Sequence, residues 1–215
     1  MLQYALDTLI ILLVVLDPVG VVPIFAALTH DASDELRHRM AYKGVAIAAI
    51  ILVGFMFTGQ YLLSVLNISF NAFRISGGIL LLLLAIEMVF ARQSGLRSTT
   101  RSETEEAVHK HDISVFPLAI PLIAGPGALT TLLLLLGENA YGAWGVALLC
   151  AILFCVLAFT LLALLTTGAL MRILGETGTN VVSRVLGVLL ASLAVQYILD
   201  GVSGGLFPNN ITNAP

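Results

Sequence analysis

Residues 9–28 read LIILLVVLDPVGVVPIFAAL, an apolar run that is interrupted near its middle by Asp17 and Pro18. A helix that crosses a bilayer needs about 20 mainly apolar residues. Proline inside a helix removes a backbone donor and clashes with the carbonyl four residues back. Asp is a favoured cap, and Pro is a favoured first residue of a new helix. The stretch therefore predicts a membrane span over 4–28 made of two half-helices, the second beginning at Pro18.

The rest of the chain has the same apolar character. Of its 215 residues, 59% are hydrophobic and 11% are charged, whereas soluble domains average about 45–50% and 25%. Apolar stretches lie at 4–28, 43–66, 72–91, 113–136, 142–169 and 181–201, and polar linkers at 29–42, 92–112 and 170–180. The composition predicts an all-α membrane protein of six transmembrane helices and excludes an ordinary soluble enzyme or a disordered chain.

The charges predict how the spans are oriented. Nine of the ten Lys and Arg residues fall on one side of the six spans, and Arg74 alone falls on the other. Basic loops stay in the cytoplasm, so we expect both termini to face outward. The net charge of −3 leaves no basic surface for nucleic acid.

The two halves of the chain resemble each other. Leu16-Asp17-Pro18-Val19-Gly20 matches Ala124-Gly125-Pro126-Gly127-Ala128 at an offset of 108, and Arg74-Ile75-Ser76-Gly77 matches Arg184-Val185-Leu186-Gly187 at 110. Each half holds three helices, an odd number, so the second is inverted relative to the first. The predicted units are a first repeat at 1–91, a cytoplasmic loop at 92–112, a second repeat at 113–203 and an extracytoplasmic tail at 204–215. His109, His111 and Asp112 could ligate a metal, but a solvated loop is the expectation there.

The fourth span is also interrupted near its middle, at Gly125-Pro126-Gly127. We expect a half-helix to start at Pro126 and to approach the midplane from the face opposite to the one at Pro18. Two helix N-termini would then converge on one region, which favours an anionic group such as a carboxylate. The alternative is that these prolines only kink the helices for packing. The predicted substrate-binding residues are Asp17, Pro18, Gly20, Gly125, Pro126, Gly127, Thr130 and Thr131.

A second group of polar residues is predicted to act in coupling or gating: Asp17, Glu87, Arg74, Arg184 and Gln196. A charge in the membrane is costly and is often functional. Asp17 could cap its half-helix, hold a proton, or bind a substrate ammonium. Glu87 either lines a cavity, with Gln196 or Tyr197 at a related depth in the second half, or snorkels toward the interface. Arg74 and Arg184 recur at the same repeat position, as gates or as interfacial anchors.

Small residues at four-residue spacing predict close helix packing without chemistry. They lie at Ser183, Gly187 and Ala191 in the sixth span and at Ala143, Ala147 and Ala151 in the fifth.

Three motifs resemble the MarC family of bacterial and archaeal inner-membrane proteins. They are LDPVGVVPIF at 16–25, FRISGGIL at 73–80 and FPLAIPLIAGPGA at 116–128, and the likeness covers nearly the whole chain. The resemblance implies an inner-membrane protein of six helices related to LysE-type exporters, and an archaeal branch is described as carrying glycine and alanine. Many members look to have Asn in place of Asp17, which argues against a proton-carrying role for that residue.

We therefore expect a secondary transporter of small neutral amino acids, or a similar zwitterion, coupled to H⁺ or Na⁺. The expected partners are the lipid bilayer and the small-molecule substrate, with a homo-oligomer left open. No motif indicates a cofactor or an enzyme. The alternatives are an ion or solute channel, and a membrane protein without transport activity.

Overall fold

The computed structural model describes residues 2–90, 112–137 and 142–206, and within these ranges it contains helices and no strand. The elements are α1 (Leu2–Leu16), α2 (Pro18–Leu28), α3 (Asp34–Val65), α4 (Phe70–Phe90), a π-helical segment (Ser114–Ile123), α5 (Pro126–Gly137), α6 (Gly142–Leu165) and α7 (Thr167–Leu206). The predicted loop lies outside the described residues except for Asp112, and so does the predicted tail beyond Leu206.

Five membrane-length helices are found in the described residues, with α1 and α2 counted together. The pair formed by the π-helical segment and α5 is bent by 53° and makes a sixth span if it is counted as one. The prediction of an all-α membrane protein is therefore confirmed, with five to six candidate spans.

The polar linker predicted at 29–42 is mostly helical. Ser33 caps α3 by accepting a hydrogen bond from the Leu36 amide, and Asp34 and Glu35 lie in the first turn, where carboxylates favour the helix dipole. The linker prediction was wrong there because polarity indicates contact with water and does not by itself end a helix.

The linker predicted at 170–180 is helical as well, apart from one interruption. Gly175 has φ 62° and ψ −178°, a conformation that is open to glycine and strained for other residues. The part of α7 that is long and apolar enough to cross a membrane begins after this break, at Thr177.

The first half of the fourth span is not the regular half-helix that the sequence predicts. Phe116 and Ile120 have extended backbone angles within the π-helical segment. Each precedes a proline, and the proline ring disfavours the α conformation of the residue before it. Pro117 and Pro121 thus alter the backbone of the whole segment before the break, and not only that of a single turn.

Helices α4 and α7 run antiparallel and lie backbone to backbone. A Cβ added at Gly78 would come within 2.8 Å of the Ala194 carbonyl, and one at Gly187 within 3.1 Å of the Ala85 carbonyl. Glycine permits this approach, as in other close helix pairs in membranes. Gly187 therefore takes part in packing, as the sequence predicts.

The packing partners fall into matched pairs. Helix α1 packs on α6 as the π-helical segment packs on α3, while α2 packs on α7 as α5 packs on α4. Likewise, α2 contacts α6 as α5 contacts α3. Three contacts of the first half thus have an equivalent in the second, whereas the contact of α1 with α7 has none among the principal contacts.

The alanine ridge predicted for close helix contact in the fifth span does not pack within the described part of the chain. Ala143, Ala147 and Ala151 are all exposed on α6. Small side chains allow close approach but do not choose a partner. The prediction of contact on this face was therefore wrong for the single chain.

Candidate functional site

Asp17 is the single residue between α1 and α2, and it is 1% exposed. Its backbone is left-handed, with φ 43° and ψ 65°, a region that Asp and Asn visit more readily than most residues. One carboxylate oxygen accepts a hydrogen bond from the Gly20 amide at 3.0 Å. The other accepts one from the Ser183 hydroxyl of α7 at 3.2 Å. The N-terminus of α2 is thus capped by the chain itself.

Gly20 leaves the space in which the Asp17 carboxylate sits. A Cβ at this position would lie 2.0 Å from Oδ2 of Asp17 and 2.7 Å from the Ser183 oxygen. The predicted residues Asp17, Pro18 and Gly20 therefore lie together, and Ser183 joins them from the other half of the chain.

The second break lies between the π-helical segment and α5. Gly125 takes the cap position, because its carbonyl accepts from the Leu129 amide at 3.1 Å. Glycine has no side chain with which to cap the first turn, so the amides of Gly127 and Ala128 have neither an intrahelical carbonyl nor a carboxylate of residue 125 to bind.

The same break also holds a carbonyl acceptor. A Cβ on Gly125 would lie 2.6 Å from the Pro121 oxygen, so only glycine fits beside that carbonyl. In a π-helix a carbonyl bonds to the amide five residues on. Five residues after Pro121 stands Pro126, which has no N–H to donate.

A narrow crevice opens at this point, and its enclosed space is about the size of one water molecule. The first residues of α5 and Pro121 line it together with apolar side chains. The lining residues are Val15, Leu80, Leu84, Leu122, Ile123 and the run from Gly125 to Ala128, together with Pro121. The chemistry of this lining suits the charged ends and the short apolar part of a small molecule, which the crevice must widen to admit.

The two breaks lie next to each other. A Cβ on Gly127 would meet Cγ1 of Val15 at 3.9 Å, which is ordinary contact. Val15 is two residues from Asp17, or about 5.5 Å between Cα atoms along a helix. The residues predicted for the first and fourth spans therefore meet around one region.

The two predicted threonines of α5 are buried, Thr130 with 4% and Thr131 with 0% exposure. Thr130 packs into the space that Gly77 leaves on α4, since a Cβ there would lie 1.9 Å from its methyl carbon. Neither threonine is among the residues that line the crevice.

The other predicted polar residues are dispersed. Glu87 is buried in α4, with 8% exposure. Arg74 is half-buried, and its guanidinium carbon lies 5.2 Å from the centroid of the Phe70 ring. Arg184 is exposed on α7. Gln196 is exposed and donates to Asp200 at 2.7 Å, whereas Tyr197, the other predicted neighbour of Glu87, is buried.

Sequence reasoning missed several residues at this site. Ser183 was assigned to packing, although it binds Asp17. Val15, Leu80 and Leu84 carry no pattern that separates them from other apolar residues, because only the fold brings them to the crevice. Pro121 could have been singled out, because Pro117 and Pro121 are visible in the sequence just before the break.

A profile described as "MarC family integral membrane protein" matches residues 2–206. The chain belongs to the MarC family. It is a multi-pass membrane protein, as the family description and its apolar helices show. The resemblance stated from the motifs is confirmed.

Relatives of this MarC-family chain come from both archaea and bacteria. A protein of Methanocaldococcus jannaschii named "UPF0056 membrane protein MJ1677" is 35% identical over 205 residues, which cover 95% of this chain and 98% of the relative. The "UPF0056 membrane protein" of Aquifex aeolicus is 36% identical over 192 residues, 89% of this chain and 88% of its own. The "UPF0056 inner membrane protein YhgN" of Escherichia coli is 34% identical over 195 residues, 90% and 93% of the two chains. No solved structure matches.

Proposed function

We propose that this chain is an inner-membrane secondary transporter of small neutral amino acids, or of a similar small zwitterion, driven by an ion gradient. The observation that carries the proposal is the crevice at the second break, where α5 amides and the Pro121 residue meet. The inner-membrane location follows the name of the Escherichia coli relative.

The crevice offers both kinds of partner that a zwitterion needs. The N-terminus of α5 carries partial positive charge and unpaired amides, which favour a carboxylate. The Pro121 carbonyl favours an ammonium, because its π-helical donor position is a proline. Leu80, Leu84 and Val15 restrict the remaining space to a short apolar side chain. Glycine and alanine fit this description.

The two breaks divide their roles. At the first break the Asp17 carboxylate already takes the N-terminus of α2, so the substrate carboxylate is assigned to α5 alone. Asp17 lies two residues from Val15, which lines the crevice. Its negative charge there favours a substrate ammonium or a coupling cation. Gly125 permits access at the second break because it carries no side chain.

The fold supports alternating access as the mechanism. The paired packing of the two halves fits an inverted repeat, and the breaks at residues 17 and 124–125 fit discontinuous helices around a shared site. We propose that these breaks lie near mid-membrane and that no covalent chemistry accompanies transport. The basic residues of α3 support a cytoplasmic position for its N-terminal end, and on this proposal both termini face the periplasm.

Uptake of radiolabelled glycine and alanine by proteoliposomes tests the proposal directly. We expect accumulation when a pH gradient or a sodium gradient is imposed, and none in liposomes without protein. Absence of uptake of every small amino acid under both gradients would refute it. Counterflow separates a carrier from a channel, since only a carrier accumulates labelled substrate transiently against its own gradient while unlabelled substrate flows out.

Two variants locate the activity at the crevice. Gly125→Ala introduces a methyl group 2.6 Å from the Pro121 oxygen, and we expect it to weaken glycine uptake about tenfold or more through loss of geometry. Gly54→Ala is the matched control, because nothing lies within 4 Å of its Cβ position. Equal uptake by both variants would place the site elsewhere.

Asp17→Asn tests the coupling role. Asn keeps the left-handed backbone and a cap oxygen but cannot carry a proton. If Asp17 binds the coupling proton, the variant retains counterflow and loses accumulation driven by a pH gradient. Unchanged accumulation would leave Asp17 with the capping role alone.

A further inference from the structure

Threonines in these helices commonly satisfy their own hydroxyl groups. Thr29, Thr58 and Thr160 each donate to the carbonyl four residues back, at distances of 2.7 to 2.9 Å. Thr166 and Thr179 make the same bond, at 2.7 and 3.0 Å. This local bond is the ordinary way to bury a threonine in a helix.

Thr8 and Thr131 depart from that behaviour. Thr8 is 1% exposed and Thr131 is 0% exposed. The hydroxyl oxygen of each is buried and has no hydrogen-bond partner within the described residues. Burying a hydroxyl without a partner is unfavourable, and such groups in proteins are usually satisfied by water or by a ligand.

The two threonines lie on facing sides of neighbouring helices. Thr8 precedes Val15 by seven residues, two turns of α1, and so shares its face. Thr131 follows Gly127 by four residues and shares its face of α5. Val15 and Gly127 are in contact at the crevice. Both hydroxyls therefore lie along the α1–α5 interface, on the same side of the crevice, toward the end of α1 at Leu2.

We propose that the α1–α5 interface forms a hydrated path between the crevice and the membrane face at which Leu2 lies. The hydroxyls of Thr8 and Thr131 bind the water in this path and, during passage, the charged ends of the small zwitterion. The inference rests on the proposed transport function, since it gives the crevice an exit on one side. It also assigns a role to two buried threonines whose hydroxyls bond to nothing in the described part of the chain.

Cysteine accessibility tests the path. Thr131→Cys and Thr8→Cys are made in a chain whose Cys150 and Cys155 are replaced by alanine, and a membrane-impermeant methanethiosulfonate is applied to vesicles. Thr160→Cys is the matched control, because Thr160 is also 0% exposed but its hydroxyl bonds to Val156. A cysteine at the exposed Leu2 reports which face the reagent reaches.

We expect Thr131→Cys to react at least about tenfold faster than Thr160→Cys, since only a thiol that water reaches forms the reactive thiolate. The reaction should come from the face that labels Leu2→Cys, and excess glycine should slow it. Reaction no faster than that of Thr160→Cys, or reaction from the opposite face alone, would overturn the path.

The transport function and the path fail separately. Glycine uptake together with an unreactive Thr131→Cys refutes the path and leaves the function. Rapid labelling without protection or uptake of any small amino acid supports a hydrated interface and refutes the function on which its role rests.

A measurement on the unaltered chain removes any dependence on variant folding. Hydroxyl radicals generated by X-rays in bound water oxidise neighbouring side chains, which mass spectrometry locates. We expect oxidation of the buried leucines that flank Thr131 and none of Leu157 and Leu164, which are buried about one turn before and after Thr160. Equal protection of both regions would contradict a hydrated α1–α5 interface.

Discussion

At the residue scale, the first break depends on a carboxylate held in a space without a side chain. Asp17 bends the chain through a left-handed conformation, and Gly20 leaves room for the carboxylate to reach back to its amide. Ser183 then ties the break to α7. The three residues form one unit, and none of their contacts survives if the space at Gly20 is filled.

Gly20→Ala should therefore destabilise the protein. Its methyl group would lie 2.0 Å from the Asp17 carboxylate and would displace it from both donors. Overpacking and the loss of a helix cap each cost roughly 1–2 kcal/mol, so a clear drop in the midpoint of thermal unfolding in detergent is expected. Gly54→Ala should leave the midpoint unchanged or raise it slightly, because alanine is the better helix former. A Gly20→Ala protein as stable as Gly54→Ala would show that the capped geometry is dispensable.

Gly77 and Thr130 make a pair whose fit can be tested by compensation. A Cβ at position 77 would lie 1.9 Å from the Thr130 methyl carbon, so Gly77→Ala forces α4 and α5 apart. We expect a loss of roughly 1–3 kcal/mol in detergent unfolding experiments. Thr130→Ala in the same chain removes the colliding methyl and should restore most of that loss. If the double variant is no more stable than Gly77→Ala, the two residues are not in contact.

At the scale of elements, the start of the fourth span is fixed to the second span by charge. Asp112 accepts hydrogen bonds from the Lys43 ammonium of α3 and from the Ser114 hydroxyl and amide. These bonds, that of Lys43 first, lower the pKa of Asp112 from 3.8 to about 2. The contact therefore stabilises the fold only while the Asp112 carboxyl group is ionised.

The pH dependence of this contact follows from its sign. Because the pKa is lower in the folded state, the contribution is fully present above about pH 4 and is lost as the pH falls through about 2. Both side chains are about half exposed, so the coupling energy should stay below about 1 kcal/mol. A double-mutant cycle of Lys43→Met and Asp112→Asn should show coupling at pH 6 that weakens in high salt. Coupling that persists at pH 1.5 would contradict an ionic contact.

The sequence predicted the elements best where the physical cause is local. Pro18 and Pro126 begin helices as predicted, since a proline determines its own backbone and removes its own donor. The bounds at 29–42 and 170–180 were wrong because helices continue beyond the apolar stretch. The π-helical segment was not predicted, because it results from two prolines acting on their preceding residues.

The site was predictable only in part for the same reason. Asp17, Gly125 and Pro126 were found because breaks are visible in sequence. Ser183 and Leu80 reach the site through tertiary packing. Gln196 was matched to Glu87 by depth alone, and depth does not determine which face of a helix a side chain occupies.

At the scale of the whole molecule, the number of spans predicts on which side of the membrane each end of the chain lies. Labelling can test this topology. We expect cysteines placed at Leu2 and Leu206 to react from one side of the membrane and a cysteine at Arg39 to react from the other. The six spans, with the bent pair counted as one, require this pattern. Vesicles of known orientation and an impermeant thiol reagent measure it, with Leu52→Cys, fully buried in α3, as the unreactive control. Labelling of Leu2 and Leu206 from opposite sides would mean an odd number of crossings.

The glycine contacts between α4 and α7 determine which parts of the molecule could move. Two helices whose backbones touch at several levels, through Gly78, Gly187 and Gly201, cannot slide past each other without collision. If the chain transports by alternating access as proposed, we expect α4 and α7 to move as one rigid unit and the other helices to move around them. We expect the interruptions at Asp17 and Gly125 to serve as the hinges of that movement. A covalent link between α4 and α7 should leave the rate of transport intact, whereas a link between α1 and α5 should stop transport.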